Sequence, residues 1–233
     1  MKLKTILASQ NAHKAEEFAH AVNGVEVIPA PYAVEVDENA DSFIGNARIK
    51  ARGYAEKLGK NTLADDSGLC VDALNGAPGV HSQRYAVLPP DVDADPDRTA
   101  ANNRKLLRHL EGVPYEKRTA HFTCALCLCI VEPSDVAMIR QNAYLCSQAE
   151  FYDKSGERCA AAEAMRAEIV VEAQAPGFIL EKQAGHAGFG YDPLFYCPET
   201  SCTFAQLTQA QKLAVSHRGR AIAALRALFE KAN

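Results

Sequence analysis

The chain has 233 residues, 48% hydrophobic and 23% charged, a balance that supports a globular core in one large domain or two small ones. With 25 basic against 29 acidic residues the formal net charge is −4, so the strongly basic footprint of a nucleic-acid coat is missing, although a locally basic pocket for one anionic ligand stays open. No apolar run approaches the roughly 20 residues that span a bilayer, and the apolar part of the start Met1–Ser9 is too short for a signal peptide; a cytoplasmic protein without a membrane partner is expected.

Leu3 to Ala8 read as a buried strand that ends in the polar cluster Ser9-Gln10-Asn11. Ala15, Phe18, Ala19 and Val22 then recur at helical spacing, and Val25 to Ile28 form a second strand. This β-α-β start places the chain in the α/β class. Asp41 to Leu58 is a helix with Phe43, Ala47, Ala51, Tyr54, Ala55 and Leu58 on its apolar face, Asp41 or Ser42 as N-cap and Gly59 as its stop. Asn61 to Leu69 reads as a short strand ending on two carboxylates, Asp65 and Asp66. A turn at 75–79 and an acidic loop at 91–97 precede a helix from about Arg98 to Leu110. Strands are expected at 120–131, 137–147, 167–173 and 178–182, and 153–165 carries no assignable pattern. With no repeat and no flexible linker, 1–233 reads as a single domain. Of the eight cysteines, Cys124, Cys127 and Cys129 fall in an apolar strand whose residues three apart face opposite sides, which fits reduced, buried thiols better than a zinc site.

Four segments could carry chemistry. Ser9 to Lys14 lie where a strand feeds a helix, so free N–H groups and the Lys14 charge suit a phosphate; an ordinary capped helix is the alternative. Asp65-Asp66-Ser67-Gly68 offers hard oxygen ligands for magnesium and a carboxylate to orient or deprotonate water, or else a solvated turn. In Gly188-Phe189-Gly190-Tyr191-Asp192, a ring can stack on a flat ligand while Asp192 accepts from base N–H groups, unless the segment is a plain glycine hairpin. Lys212, then Ser216-His217-Arg218-Gly219, puts cations at the positive end of a helix, a poor position unless something anionic or carbonyl-bearing compensates.

In combination and order, these segments resemble the inosine triphosphate pyrophosphatase family, the non-canonical purine NTP pyrophosphatases. The motifs that carry the resemblance are Leu7-Ala8-Ser9-Gln10-Asn11-Ala12-His13-Lys14, Phe43-Ile44-Gly45-Asn46-Ala47, Ala64-Asp65-Asp66-Ser67-Gly68-Leu69, Gly76-Ala77-Pro78-Gly79 with Ser82, Arg84 and Tyr85, Gly188-Phe189-Gly190-Tyr191-Asp192-Pro193, and Leu207-Thr208 with Lys212 and Ser216-His217-Arg218-Gly219. The resemblance implies hydrolysis of ITP, dITP or XTP to the monophosphate and pyrophosphate. It also implies an elongated two-lobed α/β fold on a long mixed sheet with flanking helices and a nucleotide cleft, commonly as a homodimer. By the same resemblance Ser9, Gln10, Asn11, Ala12, His13 and Lys14 hold the triphosphate and Asp66 is the catalytic carboxylate, working with Mg2+ and with Lys14. Ser67 and Arg84 would touch substrate, Phe189 would stack on the purine beside Gly190, Tyr191 and Asp192, and Lys212, His217 and Arg218 would read the base.

Two features depart from the family pattern. Gly45 stands where a glutamate is common, so Asp37 or Glu38 is a candidate to join Asp65 and Asp66 at the metal. The stretch from about 132 to 183 is longer than usual, which suggests an added strand or loop away from the chemistry. A nucleotide-binding sensor without turnover, and a pyrophosphatase for another modified nucleotide, are the competing readings.

Overall fold

The computed structural model describes residues 3–10, 14, 17–18, 24–90, 92–93 and 95–232. They gather into two compact units, one of 1–66, 125–172 and 221–233, the other of 67–124 and 173–220. The chain therefore changes unit four times, and neither unit is a contiguous stretch of sequence.

The strands are β1 (Leu3–Leu7), β2 (Val25–Pro29), β3 (Thr62–Val71), β4 (Thr119–Ile130), β5 (Ala149–Tyr152), β6 (Arg166–Ile179), β7 (Phe195–Cys197) and β8 (Cys202–Thr203). Their order in the sheet is β2-β1-β3-β4-β6-β7-β8, with β5 added on β6. β1 runs parallel to β2 and to β3, in register Leu3↔Val25 and Ile6↔Thr62, whereas β5/β6, β6/β7 and β7/β8 are antiparallel. Among the described residues, the helices with continuous bounds are α1 (Phe43–Leu58), α2 (Arg98–His109), α3 (Pro133–Gln141), α4 (Ala143–Gln148), α5 (Gln209–Val215) and α6 (His217–Lys231). A mixed sheet with helices agrees with the α/β expectation.

In the first unit, α1 buries Ala47, Ala51, Tyr54 and Ala55 with Ala8, Ala64, Ala125, Cys127 and Cys129. Small residues dominate this core, which lets the helix backbone approach the sheet closely. Ser42 caps α1 by accepting from Gly45 N at 3.2 Å, and Gly59 ends it in the left-handed conformation at φ 63°. The second unit has a larger-residue core of Leu69, Val71, Leu106, Phe122, Leu194, Phe195 and Phe204.

Three sequence expectations need correction. The stretch at 137–147 is helical: Pro133 starts α3, Val136 and Ile139 bury one helical face, and Asn142 caps α4 by accepting from Leu145 N at 2.9 Å. The two strands expected at 167–173 and 178–182 are one strand, β6, which passes Pro176 and Gly177 without a break. Gly177 is required there, since a Cβ would overlap the Tyr196 carbonyl oxygen and approach the Phe195 ring to 2.5 Å. Finally, β3 does not end at the carboxylates but runs on to Val71, so Asp65 and Asp66 are mid-strand and point to opposite faces.

The turn from α5 into α6 depends on Gly219. A Cβ there would overlap the Leu213 carbonyl oxygen, a backbone atom that cannot swing aside. Gly219→Ala should cost about 1–3 kcal/mol, typical of overpacking; urea unfolding monitored by circular dichroism checks this, and an unchanged midpoint would show that the α5–α6 turn relaxes freely.

Candidate active site

In the first unit the chemistry centres on β3. Asp65 is 1% exposed, and its Oδ1 accepts from Lys14 Nζ at 2.9 Å. Lys14, Glu17 and Phe18 have helical backbone, which places Lys14 where a strand-to-helix passage was expected. Asp66, half-buried on the opposite face, accepts from Asn46 Nδ2 at 3.2 Å. The Asn46 side chain faces two ways, because its Oδ1 also takes the Ala40 N–H at 2.9 Å and so pins the loop before α1. One turn on, Lys50 Nζ bonds Glu38 at 2.6 Å and donates to the Asp65 carbonyl at 3.2 Å.

Charge around Asp66 is incompletely balanced. Burial pushes its carboxyl up to about 6, with Glu38 and Asp65 adding to the rise, against the opposing pull of Lys50 and the Asn46 hydrogen bond. Burial lowers Lys50 most, yet Asp65, Glu38 and Asp66 together hold it above the usual lysine value. Gly45 is explained by packing: a Cβ would meet Ala40 Cβ at 2.6 Å and Ser42 Oγ at 2.9 Å, so the loop has closed over the helix where a larger residue would stand.

Sequence reasoning did not single out Asn46 and Lys50. They lie four residues apart, one turn of the helix, but that helix also carries Arg48, Arg52, Glu56 and Lys57, so spacing alone did not mark them out. Of the four carboxylates suggested for metal, Asp65 is taken by Lys14 and exposed Asp37 accepts from Asn39 at 3.2 Å, which leaves Asp66 and Glu38 facing a common set of groups. Among the described residues no group of three or more His, Cys, Asp or Glu side chains converges as a metal cage. Ser9 follows β1 and Gln10 is exposed, its Nε2 donating to Ala30 O at 3.3 Å; Asn11, Ala12 and His13 lie outside the described residues.

The second unit holds the other cluster. Phe189 is 41% exposed, with Lys212 Nζ 4.6 Å and the Arg218 guanidinium 6.0 Å from its ring centre. Asp192 organises the group: its Oδ2 accepts from Lys212 Nζ at 2.5 Å and from Phe189 N at 2.8 Å. Burial raises the Asp192 carboxyl, while Lys212, the Phe189 N–H and Arg218 work against that rise. This carboxylate is the anionic partner of Lys212 at the end of α5, and it also faces the charge of Arg218 at the start of α6. It also revises the sequence reading, in which Asp192 faced the base, because its Oδ2 is spent on Lys212 and the loop. Tyr191 likewise is an internal brace, 3% exposed with its hydroxyl donating to Ser82 O at 2.9 Å. Gly190, at φ 63°, is held through its carbonyl by Asn103 Nδ2 at 3.0 Å. His217 lies flat on Phe122, centroids 4.7 Å apart and planes 13° apart. Ser67 is half-buried on β3, and Arg84 is exposed beside His81 Nδ1 at 3.2 Å.

Comparison with known proteins settles the lineage. The Ham1 family matches residues 5–228. The chain belongs to the Ham1 family. Among its relatives, a dITP/XTP pyrophosphatase of Geobacillus kaustophilus is 39% identical over 231 residues, covering 97% of this chain and 94% of that one. Another dITP/XTP pyrophosphatase, from Desulforamulus reducens, is 40% identical over 225 residues, covering 94% and 92%. A solved Ham1 protein from Coxiella burnetii superposes with a TM-score of 0.72 at 31% identity, covering 98% of this chain and 99% of that one. The resemblance drawn from six separated motifs thus extends over the Ham1 chain as a whole.

The charge imbalance has a measurable consequence. A carboxyl whose folded pKa is raised favours folding fully below its unfolded value near 3.8 and loses that contribution as pH rises through about 6. In chelator, Asp66→Asn should therefore raise the thermal midpoint at pH 8 by a few degrees, from at most about 3 kcal/mol, and leave it unchanged near pH 3.5. An equal shift at both pH values would show that the ionised carboxylate is not under strain.

Proposed function

We propose that this Ham1-family chain is a nucleoside triphosphate pyrophosphatase that hydrolyses the non-canonical purine nucleotides ITP, dITP and XTP to monophosphate and pyrophosphate. The observation that carries the reading is a lysine ammonium fixed by Asp192 over the exposed Phe189 ring, with Arg218 beside it. A purine stacked on Phe189 meets cationic donors at its edge. Hypoxanthine and xanthine present a 6-keto acceptor there, whereas adenine presents an amino donor. A site that demands such a hydrogen bond discriminates by about 10⁴–10⁵-fold.

The phosphate chemistry falls to the first unit. Asp66 positions the attacking water and takes its proton. Water attacks the α-phosphorus, the bond to the bridging oxygen breaks, and pyrophosphate leaves. Lys14, oriented by Asp65, offsets charge that develops on the phosphoryl oxygens. Lys50 and Asn46 fix Glu38 and Asp66.

Magnesium belongs to the same proposal. Asp66 and Glu38 would hold it, and when bound it neutralises the leaving pyrophosphate. The fit rests on hard carboxylate donors and on an Asp66 that its neighbours leave short of positive charge. Homodimeric assembly, a cytoplasmic setting and the absence of a nucleic-acid partner are proposed from the family resemblance and the acidic net charge. No helix among the described residues is long and apolar enough to cross a membrane. The sensor reading drew its motive from Gly45, and the packing of Ala40 and Ser42 accounts for that residue without loss of Asp66 or Glu38.

Incubation with ITP, XTP, dITP, GTP and ATP plus magnesium, with products resolved by chromatography, tests the proposal. Monophosphate and pyrophosphate should appear from the keto-purines while ATP is spared, and Asp66→Asn should abolish turnover. Phe189→Ala should raise KM roughly 5- to 150-fold, the equivalent of about 1–3 kcal/mol of base stacking. Release of orthophosphate, or equal turnover of ATP, would refute the assignment.

A further inference from the structure

The first unit contains a charged network that the proposed chemistry does not use. Glu168, on β6, is 0% exposed and takes a two-pronged bond from Arg52 of α1, Nε to Oε1 at 2.7 Å and Nη2 to Oε2 at 2.9 Å. Arg166 Nε lies 2.9 Å from the same carboxylate and Arg48 Nε 3.9 Å from it. Arg48 of α1 also bonds Glu150 at 2.8 Å and the Tyr152 hydroxyl at 3.0 Å, both on β5. The Tyr152 ring carries guanidinium groups from Arg52 and Arg166 at 4.8 and 4.6 Å from its centre.

A buried ion pair is a weak source of net stability, because desolvation offsets most of the attraction. Its strength is geometric: a planar guanidinium fork on a carboxylate fixes angle as well as distance. Here Arg52 makes such a fork, and Arg48, one turn away on α1, bonds Glu150 and the Tyr152 hydroxyl through one nitrogen, so both rotation and sliding of the helix are opposed. Arg48 and Arg52 are displaced two residues from Asn46 and Lys50, about 200° around the helix. One side of α1 is therefore clamped to β5 and β6, and the other carries the groups that hold Asp66 and Glu38.

We propose that Glu168, through Arg52 and Arg48, is a positioning residue for the hydrolytic reaction: it sets the rotation and register of α1 so that Asn46 and Lys50 meet Asp66 and Glu38. The inference rests on the catalytic reading of Asp66. It assigns a role to β5 and β6, which supply the whole acidic side of the clamp. A shift of α1 by one ångström breaks the 3.2 Å Asn46–Asp66 bond and the 2.6 Å Lys50–Glu38 pair, and misplacement on that scale costs roughly 10²-fold in rate.

Three variants test it: Glu168→Gln, the apolar pair Arg52→Met with Glu168→Leu, and Arg48→Lys, whose partly exposed side chain makes it safe for folding. Thermal unfolding establishes that each is folded; kcat and KM for ITP, and calorimetric binding of pyrophosphate and of inosine monophosphate, are then measured. The expected result is a kcat lowered about tenfold to 10²-fold by the Glu168 variants and a few-fold by Arg48→Lys, weaker pyrophosphate binding, and inosine monophosphate binding within twofold of the parent. Parental kcat in the folded variants would overturn the proposal, as would equal weakening of both ligands, the sign of general loosening. If the Glu168 variants do not fold, Arg48→Lys decides by the same criteria. Asp66→Asn, run alongside, separates the two readings: its loss of turnover with parental Glu168 variants removes only the positioning role, whereas its retained turnover removes the catalytic one.

Discussion

A carboxylate carried into the middle of a β-strand is the constraint around which the first unit is arranged. Asp66 cannot retreat to solvent as it could in a turn, because β3 continues through it to Val71. Burial and the charges of Glu38 and Asp65 disfavour its ionised form, and a single amide hydrogen bond and one lysine oppose them. Asn46 spends one end of its amide on Asp66 and the other on the Ala40 backbone, so the loop that bears Glu38 is tied to the carboxylate. Such strain is retained where it serves chemistry: a carboxyl poised near neutrality can exchange a proton or accept a cation.

The second unit solves a different problem with one buried anion. Lys212 and Arg218 crowd toward the exposed Phe189, and Arg218 does so at the positive start of α6. Asp192 removes that difficulty while its bond to the Phe189 N–H fixes the loop that bears the ring. The glycines serve the same closeness: at Gly188 a Cβ would overlap the Asp192 carboxylate, and at Gly219 it would overlap the Leu213 carbonyl. The motif residues thus support one another as much as they face outward.

Legibility in the sequence followed the range of the forces involved. α1 and its Ser42 and Gly59 ends were readable because capping and 3.6-residue periodicity are local. The region from Glu132 to Gln183 was misread where local signals conflict with long-range ones. α3 and α4 are too short to show a strong period, and Pro176 with Gly177 suggests a break that the packing of β7 against β6 overrides. Gly45 stood only as a departure from the family's glutamate, and the structure shows Ala40 and Ser42 in the space a side chain would need.

By itself the sequence determined the family, the α/β class and the identity of the residues that bear charge or rings, since these depend on residue types and their spacing along the chain. Tertiary structure alone decided which partner each charge has. Asp65 and Asp66 are neighbours in sequence, yet strand alternation sends one to Lys14 and the other to Asn46. Asp192 and Lys212, 20 residues apart, share a proton donor and acceptor at 2.5 Å, and Arg52 finds Glu168 across 116 residues. Electrostatic and hydrogen-bond energies depend on distance in space and on burial, neither of which is written in the order of the residues.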